Sequence, residues 1–292
     1  MFGWHNSRRY LAFLLPGAVF MAIFGVFPLV QLVWMSLHDV TQSTLNAATW
    51  DFVGLHNFVR GFTDGESAVA VLRTLVVVAV VTLGGMVLGF AAAVALRTRG
   101  RWSGILLAVM VFVWALPPVV NGSVWKFLLA DDGLINTVLA TAGAPGPVPF
   151  LYDPTWALVS VASVGAIAVV PFNALVFRAA LMAISPDTFE AAAIDGASKR
   201  QEIRHIMIPA TRPTAAVLLV LTVVYGFRSF DFIYVMTSGG PGTSTATLPF
   251  LGYLQAFQQY DYGLGSATSF LAVIGVFVLA AIYARTIRRE EA

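Results

Sequence analysis

Residues that could carry covalent or metal chemistry are few and scattered in this sequence. The chain has no cysteine, which excludes disulfides, thiol nucleophiles and thiolate metal sites. Its four histidines, His5, His38, His56 and His205, lie far apart, so they form no HxxxH or HExxH metal pair. The sequence has no GxxxxGK(S/T) phosphate loop, and its apolar segments carry no Ser/His or paired-Asp arrangement. We therefore predict that the chain is not an enzyme and has no cofactor or metal of its own.

A second set of chemically capable residues lies inside long apolar segments. A polar side chain within a membrane span is costly and tends to face a cavity. Hydroxyl and amide groups beside aromatic rings suit a sugar, whose hydroxyls need donors and acceptors and whose C–H surface packs on a ring face. We predict a substrate path lined by Asn121, Phe172, Asn173, Thr222, Tyr225, Arg228, Ser229 and Asp231.

The same polar residues also have structural interpretations. Asn173 follows a proline and could bond the carbonyl that this proline frees. Thr222 and Ser229 could bond the backbone of their own helix. Arg228 and Asp231, three residues apart, could pair on one helix face. The sequence leaves these alternatives open.

The elements that must position these residues are membrane spans. Of the 292 residues, 58% are hydrophobic and 11% are charged, whereas a soluble domain carries about 25% charged residues. The mean hydropathy is +0.81. The net charge of +2 is too small to indicate a nucleic-acid partner. These values exclude a soluble globular protein and make the lipid bilayer the first expected partner.

Six uncharged windows approach or exceed the roughly 20 residues that a helix needs to cross a bilayer. The fifth window is short, and we extend it to residue 235 on the assumption that Arg228 and Asp231 pair. The windows are 10–37, 74–96, 102–125, 154–177, 213–227 with its extension, and 262–284. The sequence thus predicts an all-α membrane protein with six transmembrane helices in one domain, residues 1–292.

The distribution of Lys and Arg predicts the orientation. With the N-terminus inside, most basic residues fall in cytoplasmic segments, including Arg8, Arg9, Arg97 and Arg99, and most acidic residues fall outside. This positive-inside pattern predicts that both termini are cytoplasmic. Residues 236–261, which contain a Gly-Gly-Pro-Gly run, are then an external loop with a short interfacial helix near 253–257.

The connection over residues 185–212, which we call the hairpin, has the start and stop signals of two short helices. Ser185, Pro186 and Asp187 combine an N-cap hydroxyl, a proline at the first helical position and an acid in the first turn. Gly196 is a C-cap signal, and Ser198 with Gln201 forms a capping box. We expect the second helix to end at a proline, Pro209. A membrane-surface hairpin without a partner is the structural alternative.

The hairpin residues carry a resemblance to a known family. Glu190-Ala191-Ala192, Asp195-Gly196-Ala197 and Ile206-Met207-Ile208-Pro209 resemble the EAA signature of the membrane subunits of ABC importers that depend on an external binding protein. The segments 133–136, 177–181 and 237–241 are similar to the permeases of the maltose and glycerol-3-phosphate branch, and the Gly-Gly-Pro element is typical of its first-type subunit.

The resemblance implies a type I ABC importer permease fold in a bacterial plasma (inner) membrane. It implies a second, non-identical permease subunit, two ABC ATPase subunits that hold ATP and Mg, and an external substrate-binding protein. It also implies that the hairpin couples the path to ATP hydrolysis by alternating access. We assign this coupling to Glu190, Ala191, Ala192, Asp195, Gly196 and Ala197.

Two other functions remain open for the sequence. Within the same family, the solute could be phosphorylated, in which case Arg228 would face the phosphate. In a different class, an ion-coupled secondary transporter would need acids buried in mid-span, and Asp231 is the one candidate near a span interior.

Overall fold

The computed structural model describes residues 7–98 and 100–290, and the side chains of residues 13–98 and 100–281. His5 and Arg99 lie outside the described residues, as do the side chains of Arg8 and Arg9. The chain divides into two compact units. Unit 1 comprises Met1–Ala68 and Leu251–Val273, and unit 2 comprises Val69–Phe250 and Ile274–Ala292.

Helices account for most of the described chain, and three π turns interrupt or extend them. The helices are α1 (Ser7–Met21), α2 (Phe27–Ser36), α3 (His56–Thr63), α4 (Glu66–Ala95), α5 (Arg101–Ala115), α6 (Pro118–Leu128), α7 (Leu134–Thr141), α8 (Pro154–Met182), α9 (Pro186–Ile194), α10 (Lys199–Glu202), α11 (Ile208–Ala210), α12 (Arg212–Phe227), α13 (Asp231–Met236), α14 (Leu248–Tyr253) and α15 (Tyr262–Glu290). The π turns are Ala22–Val26, Ile203–Met207 and Leu254–Gln258. The two strands, β1 (His38–Asp39) and β2 (Asp51–Phe52), pair antiparallel.

Five helical segments of the described chain are long and apolar enough to cross a membrane: Phe13–Ser36, Glu66–Ala95, Pro154–Met182, Arg212–Met236 and Tyr262–Ala281. A sixth crossing is possible if α5 and α6 count as one span, although they bend by 103° at their junction. These segments correspond to the six predicted windows.

The single helix expected over 102–125 is therefore wrong. Leu116 and Pro117, between α5 and α6, have extended backbone, with ψ of 141° and 137°. Two consecutive prolines cause the break, because a residue before proline avoids the helical region and proline donates no backbone hydrogen bond. Pro118 then begins α6, where its fixed φ suits a first helical position.

The fifth span is also interrupted, and the pairing used to extend it is wrong. The helix α12 ends at Phe227, Arg228 is its C-cap, and α13 begins at Asp231. Among the described residues no ion pair joins Arg228 to Asp231. The apolar run nevertheless continues to Met236, so the length of the span was estimated correctly for an incorrect reason.

Unit 2 is held together by close packing of α4 against α8 and α12. A Cβ atom on Gly89 of α4 would lie 2.6 Å from the Cβ of Asn173 in α8. A Cβ atom on Gly226 of α12 would lie 3.0 Å from the Cα of Val78 in α4. Small residues allow helix backbones to approach this closely, which is a common device in membrane proteins.

Unit 1 contains the β1–β2 pair, and a buried asparagine holds it to its neighbours. The side-chain amide of Asn57 donates to the carbonyls of Ser36 and His38, both at 3.0 Å. His38 is 4% exposed and stacks on Trp34 with 4.3 Å between ring centroids. His38 is thus a packed residue, whereas His56 is exposed at the start of α3.

The predicted 236–261 loop contains more helix than expected. Residues 248–258 are helical, through α14 and the π turn that follows it. Within unit 2, Leu248 and Phe250 are 3% and 1% exposed, so the start of α14 is packed into the protein rather than lying on a membrane surface. The Phe250 ring packs against Gly239. A Cβ atom on Gly239 would lie 2.6 Å from Cε1 of that ring, which explains why glycine is needed there.

Candidate functional site: the hairpin and the polar residues of the spans

The first hairpin helix, α9, forms where the sequence predicts it. Ser185 is the N-cap and Pro186 occupies the first turn, followed by Asp187. The Ser185 hydroxyl, however, makes no capping hydrogen bond, so this part of the prediction is wrong. The Ser185 carbonyl instead accepts from the backbone N–H of Thr188 at 3.1 Å.

Gly196 ends α9 in a Schellman motif. Its φ of +75° lies in the left-handed region that favours glycine. The N–H of Gly196 donates to the carbonyl of Ala193 at 3.1 Å, and the N–H of Ala197 donates to that of Ala192 at 2.9 Å. These are the two hydrogen bonds that define the motif. The chain therefore turns sharply at Gly196, and residues 195–197 form the tip between the two helices.

The second hairpin helix begins with the predicted capping box. Gln201 Oε1 accepts from the backbone N–H of Ser198 at 2.7 Å, and the Gln201 N–H donates to the Ser198 hydroxyl at 3.4 Å. This helix ends at Ala210, one residue beyond the predicted end at Pro209. The π turn Ile203–Met207 precedes it and widens the helix, so the ring of Pro209 avoids the clash with the carbonyl four residues earlier.

The six residues predicted to couple lie together on one exposed stretch of about two turns. Glu190, Ala191, Asp195 and Gly196 are exposed, and Ala192 and Ala197 are half-buried. The neighbouring Ile194 is 86% exposed, an unusual position for a large apolar side chain. Alanine and glycine residues beside an exposed isoleucine form a surface that a second protein can approach closely.

The opposite side of the hairpin is anchored in unit 2. Phe189 of α9, with Ile203 and Met207 of the second helix, packs into one apolar cluster. The buried members of this cluster from the spans are Ala93, Phe177, Leu181 and Leu218. The hairpin is thus exposed on one face and joined on the other to α4, α8 and α12.

Two of the predicted path residues form a buried pair. Asn173 is 0% exposed and Thr222 is 1% exposed. The Asn173 amide donates to the Thr222 hydroxyl at 3.3 Å, and this hydroxyl lies 3.4 Å from Asn173 Oδ1. Neither side chain bonds its own helix backbone, so both structural alternatives considered for them differ from the observed pairing. The pair lies between α8 and α12 and is inaccessible in this conformation.

Among the described residues, no hydrogen bond joins the remaining predicted path residues to this pair. Asn121 is 7% exposed in α6. Phe172 stacks on Trp114 with 5.6 Å between ring centroids. The other four lie at the end of α12 and the start of α13: Tyr225, Arg228, Ser229 and Asp231.

The residues around the break in the fifth span are at least partly accessible on this chain. Tyr225, Arg228 and Asp231 are exposed, and Ser229 is half-buried. The hydroxyl of Ser229 makes no bond to its own helix, and its carbonyl accepts from the Thr247 hydroxyl at 3.2 Å. The described chain does not enclose these groups, so any cavity that they line needs further atoms. Their role as a substrate path stays a prediction.

Sequence reasoning missed the contacts at the end of α4. The carbonyl of Leu96 accepts from Arg178 Nε and from the Ser103 hydroxyl, both at 2.7 Å. The Arg97 guanidinium lies 4.0 Å above the centroid of the Phe189 ring. Arg97 was considered only as a marker of orientation, and Arg178 as such a marker and as part of the family-like segment 177–181. The available signal was their position, since each lies where an apolar span ends beside a structured loop.

The described residues contain no group of three or more His, Asp or Glu that could hold a metal ion. The site is therefore a protein surface and a set of polar span residues, and no reacting group or ion-binding cluster stands at its centre within the described part of the chain.

The fold and this surface define a polytopic α-helical transport protein of the ABC importer permease class. A solved structure with this fold is a bacterial ABC transporter involved in the import of the acidic polysaccharide alginate. The TM-score is 0.81 at 23% identity, covering 98% of this chain and 97% of that one.

The chain belongs to the family of binding-protein-dependent transport system inner membrane components, which it matches over residues 85–290. It is 34% identical to the trehalose/maltose transport system permease protein MalF of Thermococcus litoralis, covering 92% of this chain and 90% of that protein. It is 30% identical to the sn-glycerol-3-phosphate transport system permease protein UgpA of Yersinia pestis, covering 97% and 96%. These findings confirm the predicted family. The chain is a multi-pass inner-membrane permease subunit, and its family is not one of enzymes.

Proposed function

We propose that this chain forms half of the translocation path of an ATP-driven importer for a sugar or a related solute. A second, non-identical permease supplies the other half, and an external binding protein delivers the solute. The relatives support this solute class, since one is a trehalose/maltose permease and a structural neighbour belongs to an alginate importer. A related structure contains an alginate-bound periplasmic protein. The exposed polar groups at 225–231 suit a path completed by another subunit.

We further propose that the hairpin docks on an ABC ATPase subunit and transmits ATP-driven movement to the spans. The observation that carries this proposal is the two-faced hairpin: residues 190–197 are open for contact, while Phe189, Ile203 and Met207 are packed among the spans. A lever needs both a free contact surface and a firm attachment. In alternating access, energy that enters through such a lever shifts the populations of inward- and outward-open states.

Replacing Gly196 tests the coupling role. Proline cannot adopt a φ of +75° and cannot donate the hydrogen bond to Ala193, so Gly196→Pro removes the Schellman turn. We expect solute uptake to be abolished while the chain still inserts into the membrane. The measurement is uptake by vesicles that contain the whole importer, normalised to the amount of permease and of co-purified ATPase.

The matched control is Gly100→Ala, since Gly100 has a φ of −138° and no heavy atom within 4 Å of its Cβ position. This variant should transport normally. Normal uptake by Gly196→Pro at wild-type abundance would show that the coupling assignment is wrong. Transport by the chain alone, without a second permease or an ATPase, would instead favour an ion-coupled transporter.

A phosphorylated solute is a second candidate, favoured by Arg228. The guanidinium is exposed at the break between α12 and α13, and a relative is named for sn-glycerol-3-phosphate transport. Arginine binds phosphate through paired, charge-assisted hydrogen bonds. Under this candidate, Arg228→Gln raises the KM for the phosphorylated solute about tenfold or more and leaves uptake of a neutral sugar unchanged. Equal effects on both solutes would exclude it.

A further inference from the structure

A cation–π contact joins the end of the second span to the hairpin. Arg97 lies two residues beyond the last residue of α4, and its guanidinium carbon is 4.0 Å from the centroid of the Phe189 ring. Phe189 belongs to α9 and directly precedes Glu190. The contact therefore joins a residue just beyond the end of α4 to the residue that precedes the first coupling residue, Glu190.

The backbone from which Arg97 projects is fixed. The preceding carbonyl, that of Leu96, accepts two hydrogen bonds of 2.7 Å, from Arg178 of α8 and from Ser103 of α5. The bond from the charged Arg178 is stronger than a bond from a neutral donor. The two bonds together satisfy a carbonyl at the end of α4. Because three helices meet at this carbonyl, Arg97 starts from a rigid position.

The guanidinium itself is oriented by the ring. Arg97 Nη1 is buried and has no hydrogen-bond partner among the described residues. A desolvated cation gains more from an aromatic face than a hydrated one does. The Phe189 ring in turn packs on the apolar cluster that contains Phe177 and Leu181, so it contacts both that cluster and the cation.

We propose that Arg97 is a positioning residue that fixes α9 to α4, so that displacement of the hairpin reaches the second span through the Arg97–Phe189 contact. This inference rests on the proposed coupling function, to which it adds the route of transmission. The contact adds to the apolar packing an attraction that weakens when the cation moves away from the ring.

The test is a double-mutant cycle in the complete importer, reconstituted in liposomes. The variants are Arg97→Ala, Phe189→Leu and the two combined, with solute transported per ATP hydrolysed as the readout and co-purified ATPase as the measure of assembly. We expect each single change to lower this ratio about fivefold, and the combination to lower it no further. Phe189→Tyr keeps an aromatic face and should retain most of the wild-type ratio.

The matched control is Arg101→Ala, which removes an exposed arginine at the start of α5. Its ratio should equal that of the wild type. If Arg97→Ala fails to assemble, Arg97→Lys replaces it in the cycle, with an expected fall of about twofold, since lysine keeps the charge without the planar stack.

Losses that multiply in the combined variant, or a Phe189→Tyr as impaired as Phe189→Leu, would overturn the inference. The Gly196→Pro variant separates this failure from failure of the proposed function. If Gly196→Pro abolishes uptake and the Arg97 cycle shows independence, only the route is wrong. If Gly196→Pro transports normally, the coupling function itself is wrong.

Discussion

Asn173 of α8 is a polar residue within a membrane span, and its hydrogen-bond partner decides its role. Expected to face solute, it is buried and pairs with Thr222 across two helices. Its partner is 49 residues away in the chain, and no local pattern indicates such a contact. Polarity within a span therefore identified residues that need a partner, but the identity of that partner depended on how α8 and α12 pack.

Replacement of Asn173 tests whether the pair is structural. Asn173→Ala leaves the Thr222 hydroxyl buried without its partner and should lower the free energy of unfolding by about 1–2 kcal/mol, within the range for buried hydrogen bonds. Two quantities are measured: the unfolding midpoint of the detergent-purified importer, and solute uptake by vesicles that contain it. Ser123→Ala, at an exposed residue that bonds only its own helix, is the control. Lost uptake at unchanged stability would instead support a solute contact for Asn173.

At the scale of elements, short-range signals were sufficient for some features and not for others. The capping box at Ser198 and the turn at Gly196 are set by neighbouring residues and could be predicted. The two consecutive prolines at 117 and 118 indicate the break, but the uncharged window 102–125 led to the prediction of one continuous helix. The end of the second hairpin helix was predicted to within one residue, whereas the π turn before it could not be predicted, because a π turn has no simple residue signature.

The contacts between spans allow a prediction of opposite sign for two glycines. Alanine at position 89 of α4 would place a methyl group 2.6 Å from the Asn173 Cβ and 3.4 Å from its backbone carbon, so Gly89→Ala should destabilise the subunit by about 1–3 kcal/mol. Alanine at position 104 of α5 meets no heavy atom within 4 Å. Gly104→Ala should be neutral or stabilise by up to about 1 kcal/mol, since alanine favours helix.

Thermal unfolding of the two variants in the same detergent checks both signs. An equal response of the two glycines would mean that α4 and α8 do not pack as closely as the structure has them, and that helix propensity alone governs both positions.

At the scale of the whole molecule, the family and the number of apolar segments could be predicted from the sequence, because apolar windows extend over most of the chain and the EAA spacing at residues 190–209 is specific. The position of the hairpin on the spans could not, since it depends on one apolar cluster that joins both hairpin helices to α4, α8 and α12, and on the contact of Arg97 with Phe189. Pairings of this kind join residues far apart in sequence and become visible only when the helices are packed.

The predicted orientation is testable with reporter fusions. Six crossings with a positive-inside distribution predict that both termini are cytoplasmic. A fluorescent protein fused after residue 292 should be fluorescent, and alkaline phosphatase fused there should be inactive, whereas phosphatase inserted after Gly242 should be active. Active phosphatase at the C-terminus would show that the predicted orientation is wrong and that the hairpin lies on the opposite side of the membrane from the ATPase.

One property of the first span has a practical consequence for handling the protein. None of the most apolar window in Phe13–Ser36 is buried within this chain. No residue of that window is therefore buried by its own subunit once the surrounding acyl chains are stripped away. Harsh, short-chain surfactants should expose it to proteases and aggregation first, so preparations in nanodiscs or native-lipid particles should retain the intact N-terminal crossing the longest.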